Sequence, residues 1–536
     1  MTRLIVALLV AAVVAASPAA GTPTQAPKRG GTLVIRLVGP EPACLNVLQA
    51  RCAEGPSLRT VAEKVLERSF TVGPDFDHRP RLVQRVVFTR KRPFTLTYHI
   101  RPEARWSDGV PVTARDFVFT LRAVRKYGGD PFERSLYAVV RTARGLDAKT
   151  LRVVLRSRTA SWRELFGHVL PSHALSGRDL SSIWLDRIED PRTGRPIGSG
   201  PFLVDSWSRG RELVLRRNPR YWGPHPAYLG RLVLRFVLTA SDPSAELQRG
   251  ELDVAAGVPP AAVPAVRRLA GIRVSATAGD VFEHLDFRVG TGGNPALRNK
   301  LVRRALAFGI DRVALVRQIY GDVDSSVAPL DNALLHPQSR AYEPNWRRYR
   351  YRPAEANRLL AEAGCRRGAD GIHVCAGARL ALRFVTSAGV PPRIRALEFL
   401  DTQLRRIGVE VEPVFAPPPV FIGQVLPSRS FDAALFSWVH FPGGSWKDVY
   451  GCGAPQNFTG YCQRLVTADL DQADRILDPS QRARVLNRVD RRLALDVPII
   501  PLYQFLVTSA HRAHVRAFAL VPNNLLWNAE NWWLDR

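Results

Sequence analysis

The sequence predicts an α/β protein built as two lobes, and three observations carry that prediction. At 536 residues the chain exceeds what one hydrophobic core serves. Its first half is dominated by strand-like tracts with helices between them. From about Asn294 strands and helices alternate, the pattern of a sheet covered by helices. Composition agrees with a folded soluble protein, at 46% hydrophobic and 23% charged, with no long low-complexity tract and no internal repeat.

Met1, Thr2 and Arg3 precede an apolar run from Leu4 to Ala16 and the small residues Ser17-Pro18-Ala19-Ala20-Gly21. A basic start, an apolar centre and a small-residue end describe a secretory signal peptide over 1–21. At about 1.5 Å per residue the run reaches only about 20 Å, short of the ~30 Å bilayer core. Cleavage after Ala19 or Gly21 fits the small-residue rule, with an uncleaved anchor as the alternative. No cysteine precedes Cys44, so a lipid-modified cysteine is not expected there. No later tract reads as a membrane span.

Leu33 to Leu37 is a short apolar strand after Gly30-Gly31, and Thr95 to Ile100 alternates as a half-buried strand should. Pro102 and Ser107-Asp108-Gly109 end it. Thr113 then reads as an N-cap with Asp116 at the capping-box position. The helix that follows carries Phe117, Val118, Leu121 and Val124 on one face. Leu151 to Leu155, Val204 to Leu215 and Leu232 to Leu238 read as further strands. Asn294-Pro295 starts a helix through Leu297, Leu301, Ala305 and Phe308 that stops at Gly309. Pro353 opens another, ended by Gly364. Leu380 to Phe384 is a strand, a helix through Ile394, Leu397, Leu400 and Leu404 ends at Gly408, and Val409-Glu410-Val411 starts the next strand. That is a βαβ unit. Phe431 to Ser437 is a buried strand, two helices fill about Ala468 to Ala494, and Ile499 to Leu506 returns as a strand.

The formal net charge is +28, and among 76 basic residues only Lys28, Lys64, Lys91, Lys126, Lys149, Lys300 and Lys447 are lysine. The arginines are dispersed along polar sides of amphipathic segments, whereas a nucleic-acid binder concentrates charge on one face or tail. They read as a solvated surface, with weak attraction to anionic lipid or cell-wall polymer following from charge alone. Six cysteines form three local pairs: Cys44 with Cys52, Cys365 with Cys375, and Cys452 with Cys462. None has the spacing of zinc or redox motifs. In an exported chain they read as disulfides, and proximity favours the local pairing.

Enzyme signatures are missing. There is no Gly-x-Ser-x-Gly elbow, no phosphate loop and no His-Glu-x-x-His helix. The eleven histidines are scattered, so no metal site is expected, and no cofactor.

Six tracts, in order, carry a family resemblance: Gly30-Gly31-Thr32-Leu33; Trp106-Ser107-Asp108-Gly109 with Thr113-Ala114-Arg115-Asp116; Gly198-Ser199-Gly200-Pro201-Phe202; Asn218-Pro219-Arg220-Tyr221-Trp222-Gly223; Leu247-Gln248-Arg249-Gly250-Glu251-Leu252-Asp253; and Phe458-Thr459-Gly460-Tyr461. Together, from about Arg29 to about Trp533, they resemble the family 5 extracellular solute-binding proteins, the peptide- and nickel-type receptors of ABC importers. The resemblance implies a periplasmic-binding-protein type II-like α/β fold, two lobes (three subdomains) around a ligand cleft. Residues 28–50 with 196–288 and 503–536 would form the main domain of lobe I, 51–195 its inserted domain, and 289–502 lobe II. It implies no enzyme, but an exported, extracytoplasmic, monomeric receptor that captures a small solute or peptide and delivers it to ABC permease subunits, with no nucleic-acid partner. The alternatives are an extracellular hydrolase or ligand-sensing chaperone on the same fold, and a basic surface protein binding anionic polymer.

A binding protein needs aromatic walls and a few orienting polar groups. Trp438, His440, Phe441 and Asp448 follow a buried strand, and Asn457 and Tyr461 resemble a family tract that borders the cleft, inside the loop stapled by Cys452 and Cys462. For Trp438 and Phe441, packing is the competing reading. Peptide-binding relatives place an aspartate shortly after this tryptophan; here Trp438-Val439-His440-Phe441-Pro442 carries no carboxylate. That weakens the peptide reading, since an unpaired buried ammonium is costly. Glu41 or Asp448 is the expected substitute. Asn332 and Trp527 are expected to border the cleft.

Overall fold

The computed structural model describes residues 26–52, 57–89, 91–129, 131–522 and 524–536. The expected signal peptide, residues 1–21, lies outside the described residues. In chain order the elements used below begin with β1 (Thr32–Val38), α1 (Ser57–Val65), β2 (Val83–Phe88), β3 (Phe94–Ile100), α2 (Ala114–Tyr127), β4 (Val140–Gly145) and β5 (Thr150–Leu155). Then come β6 (Phe202–Ser208), β7 (Glu212–Arg217), β8 (Arg231–Val237), β9 (Val254–Ala256) and β10 (Ile272–Phe287). The second half holds α3 (Lys300–Gly309), α4 (Pro353–Glu362), β11 (Ala381–Ser387), α5 (Pro391–Arg406), β12 (Glu410–Ala416), β13 (Ala433–Val439), α6 (Arg464–Ala473), α7 (Pro479–Asp496) and β14 (Ile499–Arg512).

Ten strands make one mixed sheet in the order β6-β7-β8-β1-β9-β14-β10-β13-β11-β12. β1 runs parallel to β8 and β9 on one side, and β11 parallel to β12 and β13 on the other. The βαβ unit read from the sequence is β11-α5-β12. Between the two sides lie β10 and β14, 16 and 14 residues long and antiparallel, each strand serving both halves. A separate antiparallel sheet, β2-β3-β5-β4, backs onto α2 within the segment between β1 and β6. Apolar side chains gather into two large cores: one joins that inserted sheet to the β1–β9 side, the other fills the second half, from Leu297 and Leu306 to Leu486 and Ile500.

Local causes are visible in the sequence. Thr113 donates its backbone N–H to the Asp116 carboxylate at 2.8 Å, and the other Asp116 oxygen takes the N–H and hydroxyl of Ser172. α5 ends before Gly408, whose φ of 73° suits a left-handed helix stop. Two expectations are corrected. Val204 to Leu215 is a hairpin rather than one strand, because the chain turns at Gly210 between β6 and β7. Asn294 caps only a short 3-10 turn, Pro295–Arg298; Asn299 caps α3, its side chain accepting from Leu301 N at 2.9 Å.

The three cysteine pairs are disulfides, Cys44–Cys52, Cys365–Cys375 and Cys452–Cys462. The Gly198-Ser199-Gly200 tract lies on the C-terminal end of α1. Gly200 donates to Val65 O at 2.9 Å, Ser199 Oγ accepts from Glu67 N at 3.0 Å, and Asn218 Nδ2 reaches Gly200 O at 2.9 Å. These tracts therefore fasten the end of α1 to the strand entering β6.

Candidate functional site

The site begins where β10 and β14 change halves. Ala278 pairs with Leu506 and the next pair is Phe282 with Gln504, so Gly279, Asp280 and Val281 bulge opposite Phe505. A bulge interrupts the ladder and lets a strand bend. It is pinned from the second half: Gln504 Nε2 donates to Gly279 O at 2.9 Å, His336 Nε2 lies 2.8 Å from the same oxygen, and His440 N–H donates to Asp280 O at 2.8 Å.

Beside this bulge the segment between β1 and β6 touches the second half directly. Phe76 stacks on His336, centroids 3.5 Å apart and planes 13° apart. Ser161 Oγ donates to Gly443 O at 2.8 Å, and Ala160 N–H to Asp474 O at 2.8 Å. The two sides are closed upon one another. Phe76 sits at φ 57°, in the left-handed region that a bulky residue occupies only when its surroundings hold it there.

An aromatic wall stands beside the hinge. Trp438, at the end of β13, stacks on Phe458 at 6.0 Å and 11°, lies parallel to His284 at 6.1 Å and 6°, and meets Phe436 edge-on at 5.4 Å. It is half-buried, and its Nε1 is shielded with no hydrogen-bond partner among the described residues.

Two opposite charges, Asp280 and Arg59, interact electrostatically. Asp280, half-buried in the bulge, makes no ion pair among the described residues, and burial raises its carboxyl above the usual range. Arg59 on α1 has a side chain 42% exposed, with Nε donating to Glu63 at 2.7 Å. The charge of Glu63 raises Arg59, with Glu164 and Asp280 adding to it. Arg59 and Asp280 thus feel one another without touching. Behind Arg59 lies an ion cluster. Burial pushes Glu63 up, but Arg68 and Arg59 overcome it and hold the carboxyl at about 2. Glu164, 2.5 Å from His78 Nε2 and 3.3 Å from Arg68, is held at about 2 in the same way against its own burial.

The residues expected from sequence are distributed unevenly. Trp438 forms the wall, and Phe441, 59% exposed, stands free beside it. His440 is buried, stacked on Phe282 at 4.4 Å, with Nε2 3.2 Å from Ala333 O; burial holds it well below the usual histidine range. Asn457 spends its amide inside the loop, donating to Gly451 O and Tyr461 O at 2.7 Å each. Tyr461 donates to Asp496 at 2.7 Å. Asn332 donates to Glu343 O and Asn487 Oδ1 and accepts from Leu334 and Leu335 N–H. Asp448 is exposed on a short helical turn. Glu41 is occupied elsewhere, taking Trp207 Nε1 and Gly210 N–H at 3.0 Å each. Trp527 carries the Arg79 guanidinium 5.7 Å over its ring. Sequence reasoning missed Asp280, Arg59, Phe76 and His336. Gly279, an isolated glycine inside a strand pattern, was the signal for the bulge.

No cluster of three histidine, cysteine or acidic side chains suited to a metal is present among the described residues, and no described helix is long and apolar enough to cross a membrane.

The sequence profile of the bacterial extracellular solute-binding proteins, family 5 Middle, matches residues 79–460. The oligopeptide-binding protein OppA of Mycobacterium tuberculosis is 27% identical over 502 residues, covering 91% of this chain and 82% of its own. The oligopeptide-binding protein AppA of Bacillus subtilis is 23% identical over 524 residues, 95% of this chain and 93% of its own. In fold, the chain superposes on the ABC transporter substrate binding protein CtaP of Listeria monocytogenes with a TM-score of 0.79 at 20% identity, over 95% of this chain and 100% of that one.

Proposed function

The chain belongs to the bacterial extracellular solute-binding proteins of family 5, and from that premise we propose that it is an exported receptor that captures a small solute between two lobes and delivers it to an ABC-type importer. The observation that carries the reading is the crossing between the two sides: two strands serve both halves, a three-residue bulge interrupts one of them, and Phe76 stacks on His336 where the sides meet. Lobe I consists of 28–50, 196–288 and 503–536 with 51–195 inserted, and lobe II of 289–502. Closing the lobes over a guest shifts an existing open–closed equilibrium by the better contacts of the closed form.

The guest lies against Trp438, Phe441 and Phe458, with its cationic group at Asp280 and its anionic group towards Arg59. Asp280 takes the role expected of Glu41 or Asp448, because the Glu41 oxygens are already engaged and Asp448 lies on an exposed turn. A short peptide has both charges, and OppA and AppA are named for oligopeptides. His440, Asn457, Tyr461 and Asn332 hold the wall in place through the hydrogen bonds described, and Trp527 flanks the inserted domain at Arg79. The protein acts without catalysis and without a cofactor, as an exported monomer, and its partner is a permease in the membrane.

Small-angle scattering tests this. The protein stripped of guest by denaturation and refolding is expected to be larger than the same protein after adding back the released solute, identified by mass spectrometry. A bound solute without compaction, or one recovered chemically altered, overturns the proposal.

A further inference from the structure

We propose that the open face of the β2-β3-β5-β4 sheet docks the protein onto a surface of anionic phospholipid. The argument starts from strand register. Residues directly opposite in an antiparallel sheet share a face. Val87, Thr97, Arg152 and Arg144 therefore form one row across the four strands, and Arg85, His99 and Thr150 another. Their neighbours Leu96, Tyr98, Leu151 and Val153 are buried on the α2 side, so these rows face outwards. Arg144 stands opposite Arg152, a like-charge pair that costs stability in isolation.

At one end of the face lies a hollow of about 330 Å³, lined by Arg92, Arg141 and Arg156 with Pro93, Phe94, Val154 and Leu155. Arg85, Arg92, Arg141, Arg144, Arg152 and Arg156 make no ion pair among the described residues, and the four strands contain no aspartate or glutamate. Some arginines elsewhere are neutralised, Arg358 by Glu355 and Glu362, Arg488 by Asp469 and Arg379 by Glu410, while others, such as Arg268, Arg317 and Arg406, are exposed and make no ion pair among the described residues. What sets this face apart is that six unpaired arginines lie on or beside four adjacent strands that carry no carboxylate.

Charge complementarity selects the occupant. Several guanidinium groups spread over a flat sheet match a plane of phosphates, with the hollow able to take one headgroup between three arginines. Val87, 48% exposed within the rows, suits the apolar edge of a headgroup layer. A single-stranded nucleic acid needs bare aromatic faces to stack on, whereas the Phe94 ring is attended by Arg158 at 4.7 Å and Arg92 at 5.8 Å. A receptor held at a bilayer in this way searches for its membrane partner in two dimensions. The inference does not depend on the identity of the captured solute.

The test is co-flotation of the intact protein with vesicles of phosphatidylcholine alone or mixed with phosphatidylglycerol. Binding is expected only with phosphatidylglycerol, weakening between about 0.1 M and about 1 M salt as the screening length contracts from ~10 Å to ~3 Å. The triple variant R92Q/R141Q/R156Q should partition about a hundredfold less, at roughly fivefold per arginine. The variant R268Q/R317Q/R406Q, which removes the same charge from other exposed positions, should bind like the wild type. Equal losses in both variants would reduce the effect to net charge and overturn the proposal. So would no flotation with phosphatidylglycerol, or tighter binding to a thymidine oligonucleotide that the first variant abolishes.

Discussion

Phe76 and His336 lie face to face across the hinge, ring centroids 3.5 Å apart, one ring from the inserted domain and the other from the second half. Both nitrogens of His336 are used: Nε2 lies 2.8 Å from Gly279 O, and Nδ1 accepts from Gln338 N–H at 3.2 Å. A second proton would have to sit on Nδ1, facing that N–H. Burial lowers His336 to about 4, and burial also lowers His440, whose ring meets it edge-on at 5.7 Å.

The pH dependence of closure follows from that contact. A solvated His336 takes its proton near pH 6.5, whereas in the closed form it does so near 4. Closure is fully favoured above the higher value and is lost progressively as pH falls from there towards 4, by up to about 3 kcal/mol. Burial raises Asp490 to about 7, and this gives global stability the opposite slope. Lobe separation is therefore the better readout than melting. Scattering should show expansion between pH 7 and 4.5 in the wild type and a flatter profile in His336→Gln.

Asp280→Asn removes the carboxylate from the bulge. A guest carrying an ammonium group should lose roughly tenfold to a hundredfold in affinity, the range of a charge-assisted hydrogen bond. A guest with that nitrogen acetylated should bind both proteins alike. The guest-free variant should melt no lower than the wild type, because the substitution relieves the burial that raises Asp280. Titration calorimetry on the two guests measures both effects. Equal affinities of wild type and variant for the charged guest would remove Asp280 from the site.

The sequence reveals the fold more readily than the site, and particular residues show why. Alternation marks β3, and glycine stops at Gly364 and Gly408 delimit helices, because those signals are local. The Trp438 wall was also legible, as an aromatic run after a buried strand. Asp280 was not: its significance comes from a register break against Phe505, set by pairing with residues more than 200 positions away. Arg59 gains meaning only from the inserted domain folding against the hinge. Asn332 and Asn457 were expected to border the cleft, yet their amides are engaged by backbone groups that a linear reading cannot see. Glu41 was expected to substitute for the missing carboxylate, but the β6–β7 hairpin engages both its oxygens.

Buried charge holds the second half to the hinge strand. Arg393 on α5 forks onto Glu283 of β10, with Nε at 2.8 Å and an Nη at 3.0 Å, while Ser437 and Ser387 complete the hydrogen bonds. Glu283 is fully buried. Arg393→Met strands that carboxylate without its cation, and should cost about 3–5 kcal/mol of unfolding free energy. The double variant Arg393→Met with Glu283→Leu should recover much of the loss, since an apolar pair of similar size carries no desolvation penalty. Urea denaturation of the wild type, the two single variants and the double variant provides the cycle.

Gly200 offers the sharpest steric test of how the inserted domain is fastened. A Cβ on it would lie within 2.3 Å of Lys64 O and 2.7 Å of the Lys64 carbonyl carbon, both backbone atoms at the end of α1. Backbone cannot rotate aside as a side chain can, so α1 or the strand entering β6 must move. The Gly200 N–H bond to Val65 O and the Asn218 bond to Gly200 O would stretch together. Gly200→Ala should therefore destabilise by about 2–4 kcal/mol, well above the ~1 kcal/mol typical of a point substitution. At Gly177 a Cβ would meet nothing within 4 Å, but φ is 78°, so Gly177→Ala isolates the purely conformational cost, about 1 kcal/mol. If the two variants melt together, close backbone approach is not what fixes the inserted domain to α1. If Gly200→Ala alone melts early, and hydrogen exchange quickens in α1 before the main sheet, the fastening is where the structure places it.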